Sequence, residues 1–216
     1  MDYKKKYQDN PNFWYEVGWD THFFEFYQLR YFMLVGDKEG IVVQIETILE
    51  QSKLFIRNKK SYAHIYDSSA QRLIAAAYFV LEDYEQVLER CDHLNQQSTG
   101  IQRVFRYELY TLRMFCYFEK GQYRLVESSI QAFYSWLHSQ SRLGETEKLI
   151  FKLLRDLIIA QSDWERNKIL TQAQANLTQN WTSNYLYDFF DILNWVQSKI
   201  DGVSILKTKQ EAANND

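Results

Sequence analysis

Proline occurs once, at Pro11, so the 205 residues that follow contain none. Glycine is nearly as scarce, with seven in 216 positions. Proline inside a helix removes a backbone donor, clashes with the preceding turn and costs about 3 kcal/mol, so its absence is what long uninterrupted helices require. An all-β or doubly wound fold would need more turn punctuation than this. Cysteine is limited to Cys91 and Cys116. A chain that is 46% hydrophobic and 17% aromatic can build a core without disulfides, so a reducing compartment and a cytoplasmic location are expected. A dominant charge is missing as well: the net charge of −3 gives no field to steer the chain toward nucleic acid or an anionic membrane surface. No window approaches the roughly 20 apolar residues of a membrane-spanning helix. Lys4, Lys5 and Lys6 lead into polar and aromatic residues rather than the apolar stretch of a signal peptide. Without secretion, the glycosylation patterns at Asn176-Leu177-Thr178 and Asn180-Trp181-Thr182 are chance matches.

What is present is a turn that recurs four times: Gly36-Asp37-Lys38-Glu39, Glu82-Asp83-Tyr84-Glu85, Gly121-Gln122-Tyr123-Arg124 and Ser162-Asp163-Trp164-Glu165. The steps between them are 46, 39 and 41 residues, each long enough for two antiparallel helices and a short link. Helical periodicity fills the intervals. Tyr62, Ile65, Tyr66, Ser69, Ala70, Leu73, Ala76, Ala77 and Val80 mark one apolar face before the second turn, and Tyr84, Val87, Leu88, Cys91 and Leu94 mark the return helix behind an Asp83 N-cap. The third pair opens on a capping box at Thr99 and Gln102 and buries Ile101, Phe105, Leu112, Phe115 and Cys116, then Val126, Ile130, Phe133 and Leu137. The fourth runs from about Gly144 to Gln161 and from Asp163 to about Leu177, with a second capping box at Ser162 and Glu165. Gln172, Gln174, Asn176 and Gln179 leave its second helix little to bury. A last amphipathic helix, about Ser183 to Ile200, is expected to cap the array, and beyond Gly202 the polar tail has nothing to hold it down.

Residues 13 to 32 hold ten aromatics, more than one helical stripe can bury. Either Asn12 to Trp19 folds back as a lid over the first hairpin, or part of the cluster is a surface for another chain. The organisation is therefore an aromatic segment at 1–19, a helical repeat domain at 20–200 and a flexible polar tail at 201–216.

Anchored on the turn, the second pair resembles the tetratricopeptide repeat (TPR) through Ile74, Ala75, Tyr78, Tyr84, Val87, Cys91 and Leu94, and the third through Tyr110, Met114, Tyr117, Gly121, Tyr123, Val126, Ile130 and Phe133. The first matches loosely through Phe32, Gly36, Ile41, Ile45 and Ile48, and the fourth keeps mainly Leu154, Ile158 and Trp164. Arg113 occupies a slot that is apolar in the family, and the steps exceed its usual length of about 34 residues. From Tyr187 to Ile200 the chain is also similar to the ending of bacterial helical-repeat proteins. The resemblance implies an all-α, right-handed superhelical array of about four antiparallel hairpins with a C-terminal capping helix. It also implies that the first helix of each pair lines a concave face, where Arg30, Arg72, Phe79, Phe115, Phe118 and Lys152 would meet a partner. Cations among rings suit a peptide segment carrying both a carboxylate and apolar side chains.

Catalytic chemistry is not suggested. His22, His64, His93 and His138 are dispersed, and Cys91-Asp92-His93 lacks the second ligand pair of a zinc site. Glu46 with Glu50 and Glu82 with Glu85 fit solvated faces, and no glycine-rich phosphate loop is present. No cofactor or metal is expected. The sequence thus points to a non-catalytic protein-interaction module or scaffold with a protein or peptide partner. One alternative is a subunit of an assembly docking, or self-associating, through the aromatic N-terminus. Another is a ligand-binding or enzymatic helical domain whose pocket Arg113, Cys116, Tyr117 and Arg155 would line.

Overall fold

The computed structural model describes residues 24–58, 63–96, 103–180 and 191–215. These form ten α-helices and no strand: α1 Phe24–Val35, α2 Lys38–Arg57, α3 Ala63–Val80, α4 Tyr84–Gln96, α5 Arg103–Glu119, α6 Tyr123–Ser139, α7 Glu145–Ile159, α8 Asp163–Asn180, α9 Ile192–Asp201 and α10 Ile205–Asn215. The all-α class expected from the sequence is what is observed. The N-terminal lid or interface, the Thr99–Gln102 capping box and the 183–190 portion of the last helix lie outside the described residues.

Three of the four aligned turns share one geometry. Gly36, Glu82 and Gly121 take left-handed φ values of 70°, 62° and 66°. In each, the next amide closes back on the helix, Asp37 N–H to Phe32 O (2.9 Å), Asp83 to Tyr78 (2.9 Å) and Gln122 to Tyr117 (2.8 Å). This satisfies carbonyls that a helix end would otherwise leave unpaired. Asp37 and Asp83 then cap the returning helices, accepting from the amides of Gly40 (3.0 Å) and Gln86 (3.3 Å). Glu82 holds the left-handed position without glycine's freedom, at a cost on the order of 1 kcal/mol. The fourth turn differs. Ala160 has φ −58° and ψ 126°, and the helix start keeps half of the expected capping box: Glu165 N–H donates to Ser162 Oγ (3.2 Å), while the Glu165 carboxylate accepts from Gln161 N–H (2.7 Å), one residue before the cap.

Because no pair can bury its own apolar face, the next pair's first helix does it. Helix α3 packs on α1 and α2, and α5 on α3 and α4. Buried Ala70, Ala75, Ala76 and Ala77 allow close approach along α3, while the Tyr66 ring sits between Phe26 (4.9 Å) and Phe55 (4.8 Å). Two ion pairs fix α5 against the preceding pair: Arg72 of α3 to Glu108 (3.2 Å) and Asp92 of α4 to Arg113 (3.1 Å). Helix α7 departs from this pattern, packing mainly on α6 and touching α5 at Tyr107. Phe151 meets Phe133 edge-on at 5.6 Å, Glu147 accepts from Tyr107 Oη (2.6 Å), and Arg155 clamps Glu127 at 2.9 and 2.6 Å.

The C-terminal helices correct two expectations. Helix α9 packs on α8 but sends the fully buried Trp195 to α5, against Phe115 (4.7 Å) and Phe118 (5.8 Å). Its indole N–H donates to Glu119 (2.5 Å), which also takes Lys199 (2.8 Å). The capping helix thus crosses to the third pair and leaves one face of the fourth open. Residues 205–215, read from sequence as an untethered tail, form α10 and pack on α1 and α9. Gln210 Nε2 donates to Gly36 O (2.8 Å). A side chain at Gly36 would come within 2.7 Å of the Leu206 carbonyl, so this glycine serves both the turn and the docked helix. What holds α10 is largely polar: Thr208 and Lys209 are buried beside Ile205. Lys209 lies 3.7 Å from Asp191, and burial holds its ammonium below the usual lysine range.

Candidate functional site: an open groove on the fourth hairpin

The six side chains expected on a concave face do not share one open surface, although Arg30 lies near Arg72 and Phe115 and Phe118 both pack on Trp195. Phe79 is fully buried against Tyr84 (5.4 Å) and Phe115 against Trp195. Neither has surface to offer a partner. The physical reason is that an inward ring at a first-helix position serves stacking and binding equally well, and here the chain's own helices cover it. Phe118 is half-buried under the same indole. Arg72 is spent on Glu108; burial lowers its pKa, helped by repulsion from nearby Arg30 and opposed by the pull of that carboxylate. Arg30 is exposed on α1. Lys152 stands apart on α7, paired with Asp156 at 2.7 Å.

The candidate enzymatic set does not converge either. Arg113 bridges Asp92 and Tyr117 Oη (3.1 and 3.4 Å), and Arg155 is committed to Glu127. Cys116 is buried, and neither of the two clefts described below includes any of the four. Burial pushes the Cys91 thiol up to about 12 and raises Cys116 as well, so neither forms a thiolate near neutral pH. We expect both thiols to resist an aromatic disulfide reagent in the native protein and to react promptly once it is unfolded in guanidinium. Stoichiometric labelling of the folded chain would contradict their placement. Among the described residues no group of His, Cys, Asp and Glu is arranged to hold a metal ion, and no helix is long and apolar enough to cross a membrane.

The feature the structure does offer is a groove between α7 and α8, of about 650 Å³. Its floor is Leu149, Leu153, Ile169 and Ala173, and its rim is Lys152, Asp156, Glu165, Lys168 and Gln172. At one end Ile159 and Trp164 are 73% and 71% exposed. An exposed indole beside an exposed isoleucine over an apolar trough is a costly arrangement for an isolated surface. Lys168 Nζ lies 5.2 Å from the centre of the Trp164 ring, steadying the indole at the mouth. Lining residues run from Leu149 to Ile159 on α7, roughly 16 Å at 1.5 Å per residue. A second cleft of about 490 Å³ lies where Phe118, Tyr123, Leu157, Arg166 and Lys199 meet. It mixes both charges around a narrow apolar base.

No family model, curated protein or solved structure matches this chain. The site therefore has to be read from the chain's own internal comparison. In the frame of the aligned turns, Lys152 stands where Arg72 stands in the second pair, and Gln172 where Asp92 stands. Arg72 and Asp92 are the two side chains that grip α5; Lys152 and Gln172 line the open groove. Sequence reasoning overlooked the groove as a site, although its signal was visible in the polar run of α8, whose apolar positions are too few to be covered by a full array.

Proposed function

We propose that the chain is a non-catalytic protein-interaction module, or scaffold, that holds one amphipathic helix of a partner protein between α7 and α8. The tetratricopeptide-like, superhelical character belongs to this reading for the first three pairs, α1 to α6. The observation that carries it is the contrast between filled and open grooves. The α1–α2 groove receives α3 and the α3–α4 groove receives α5, whereas the α7–α8 groove, with the equivalent gripping positions, stays open. A groove of this length accommodates about three turns of helix, read by apolar anchors at i, i+3, i+4 and i+7. The mixed rim of Lys152, Lys168, Asp156 and Glu165 favours an occupant carrying both charges along its flanks.

A photo-activatable residue placed at Lys168 in the native cell tests this. Cross-links should concentrate on amphipathic helical segments and fall at least tenfold when Trp164→Glu puts a carboxylate at the mouth of the groove. Cross-links that do not form, or that persist undiminished in that variant, would remove the proposal.

A further inference from the structure

Helix α1 carries the complement of this groove. Tyr27, Tyr31 and Leu34 lie at i, i+4 and i+7 and are 57%, 55% and 63% exposed. In the frame of the aligned turns they occupy the positions of Leu73, Ala77 and Val80 in α3, and of Leu112, Cys116 and Glu119 in α5. Those counterparts, Glu119 apart, are almost completely buried. Where the neighbour is known it is the preceding pair: Arg113, one turn before Cys116 on α5, binds Asp92 on α4 (3.1 Å). The stripe on α1 is thus the face with which a first helix docks onto the pair before it, and the first pair has none before it among the described residues. The fourth pair has the matching fault: among the described residues only its own two helices and their link line its groove.

Resting on the groove reading above, we propose that the occupant is α1 of a second copy of this chain, so that molecules associate head to tail and the helical stack continues across the junction. Lengths agree, since the 12 residues of α1 span about 18 Å and the groove about 16 Å. Bulk agrees as well. Tyr27 and Tyr31 replace the smaller Leu73 and Ala77 of the filled junction, and the trough they would enter is wide, with Ala173 on its floor. Gln28 stands where Arg113 does and Gln172 where Asp92 does, exchanging an ion pair for an amide pair at the same register. The contact is heterologous, using one patch on each partner, so it leads to chains or rings rather than a closed two-fold dimer.

Sedimentation or light scattering on the full chain reads this directly. Weight-average mass is expected to rise from that of one chain, 26.0 kDa, past twice that value between micromolar and near-millimolar concentration. Tyr31→Glu and Trp164→Glu should each hold the mass at one chain, with helical circular dichroism unchanged because both side chains are exposed. Mixing the two variants in equal amounts should restore a species of two chains and no larger, since one retains an intact stripe and the other an intact groove. A wild-type chain that stays single throughout, a Tyr31→Glu variant that associates normally, or a mixture that does not pair would each overturn the proposal. A single chain in solution together with cross-links from Lys168 to a different protein would overturn self-docking while leaving the groove reading intact.

Discussion

Trp195→Ala should lower the free energy of unfolding by about 3–5 kcal/mol, the range for truncating a large buried aromatic. The indole is fully buried in edge-on contact with Phe115 and Phe118, so truncation removes transfer energy and leaves a cavity bounded by two rings that cannot collapse onto it. It also removes the N–H donor to Glu119. Trp195→Phe separates these effects. It keeps most of the apolar contact while losing the hydrogen bond and a few ring atoms, with Lys199 still paired to the carboxylate, and should cost about 1–2 kcal/mol. Urea denaturation of the three proteins gives both numbers. A loss under about 1 kcal/mol for the alanine variant would mean that α9 is an appendage rather than part of the core. Limited proteolysis supplies an independent readout: cleavage within α9 and α10 should precede cleavage elsewhere in Trp195→Ala, because the indole is what ties α9 to the third pair.

The parts of this fold that local chemistry dictates were legible in the sequence. Scarce proline, apolar faces at three- and four-residue spacing and the recurring turn were sufficient to place α3 through α8, and the left-handed angles of Gly36, Glu82 and Gly121 show why those three tetrads aligned. What escaped depends on contacts distant in sequence. Trp195 meets Glu119 across 76 residues and Gln210 meets Gly36 across 174, neither of which a periodicity reports. Helix α10 escaped because its buried face includes Thr208 and Lys209, residues whose types signal solvent. Two of the candidate side chains, Phe79 and Phe115, are covered for a related reason. An inward Phe at position 79 or 115 reads identically whether it waits for a partner or is already covered, and only the path of the C-terminal helices decides. The groove was half-visible: Lys152 was among the residues singled out, but its setting between α7 and α8 follows from the fourth pair leaning on α6 rather than stacking as the others do.

The junction between the second and third pairs is where an electrostatic substitution should have its largest effect. Glu108→Ala is expected to destabilise the chain by about 3–5 kcal/mol, since it leaves the Arg72 guanidinium, 14% exposed, without the carboxylate that offsets its desolvation. Burial already pulls this arginine below its usual range despite that carboxylate, so removing the partner sharpens an existing penalty. The loss should change little between low and moderate salt, because a pair this enclosed is poorly screened. Arg72→Met with Glu108→Met removes both desolvation costs together and should recover most of the stability, making the cycle strongly non-additive. Denaturant midpoints of Arg72→Met, Glu108→Met and the double variant, a cycle built from the same substitutions, measure the coupling. Additive losses would mean that Arg72 and Glu108 act independently and that apolar packing of the alanine-rich α3 face, rather than this ion pair, sets the register of α5 on the pair before it. A coupled loss accompanied by two separate transitions would further show that stacking at this junction is what makes the pairs unfold as one body.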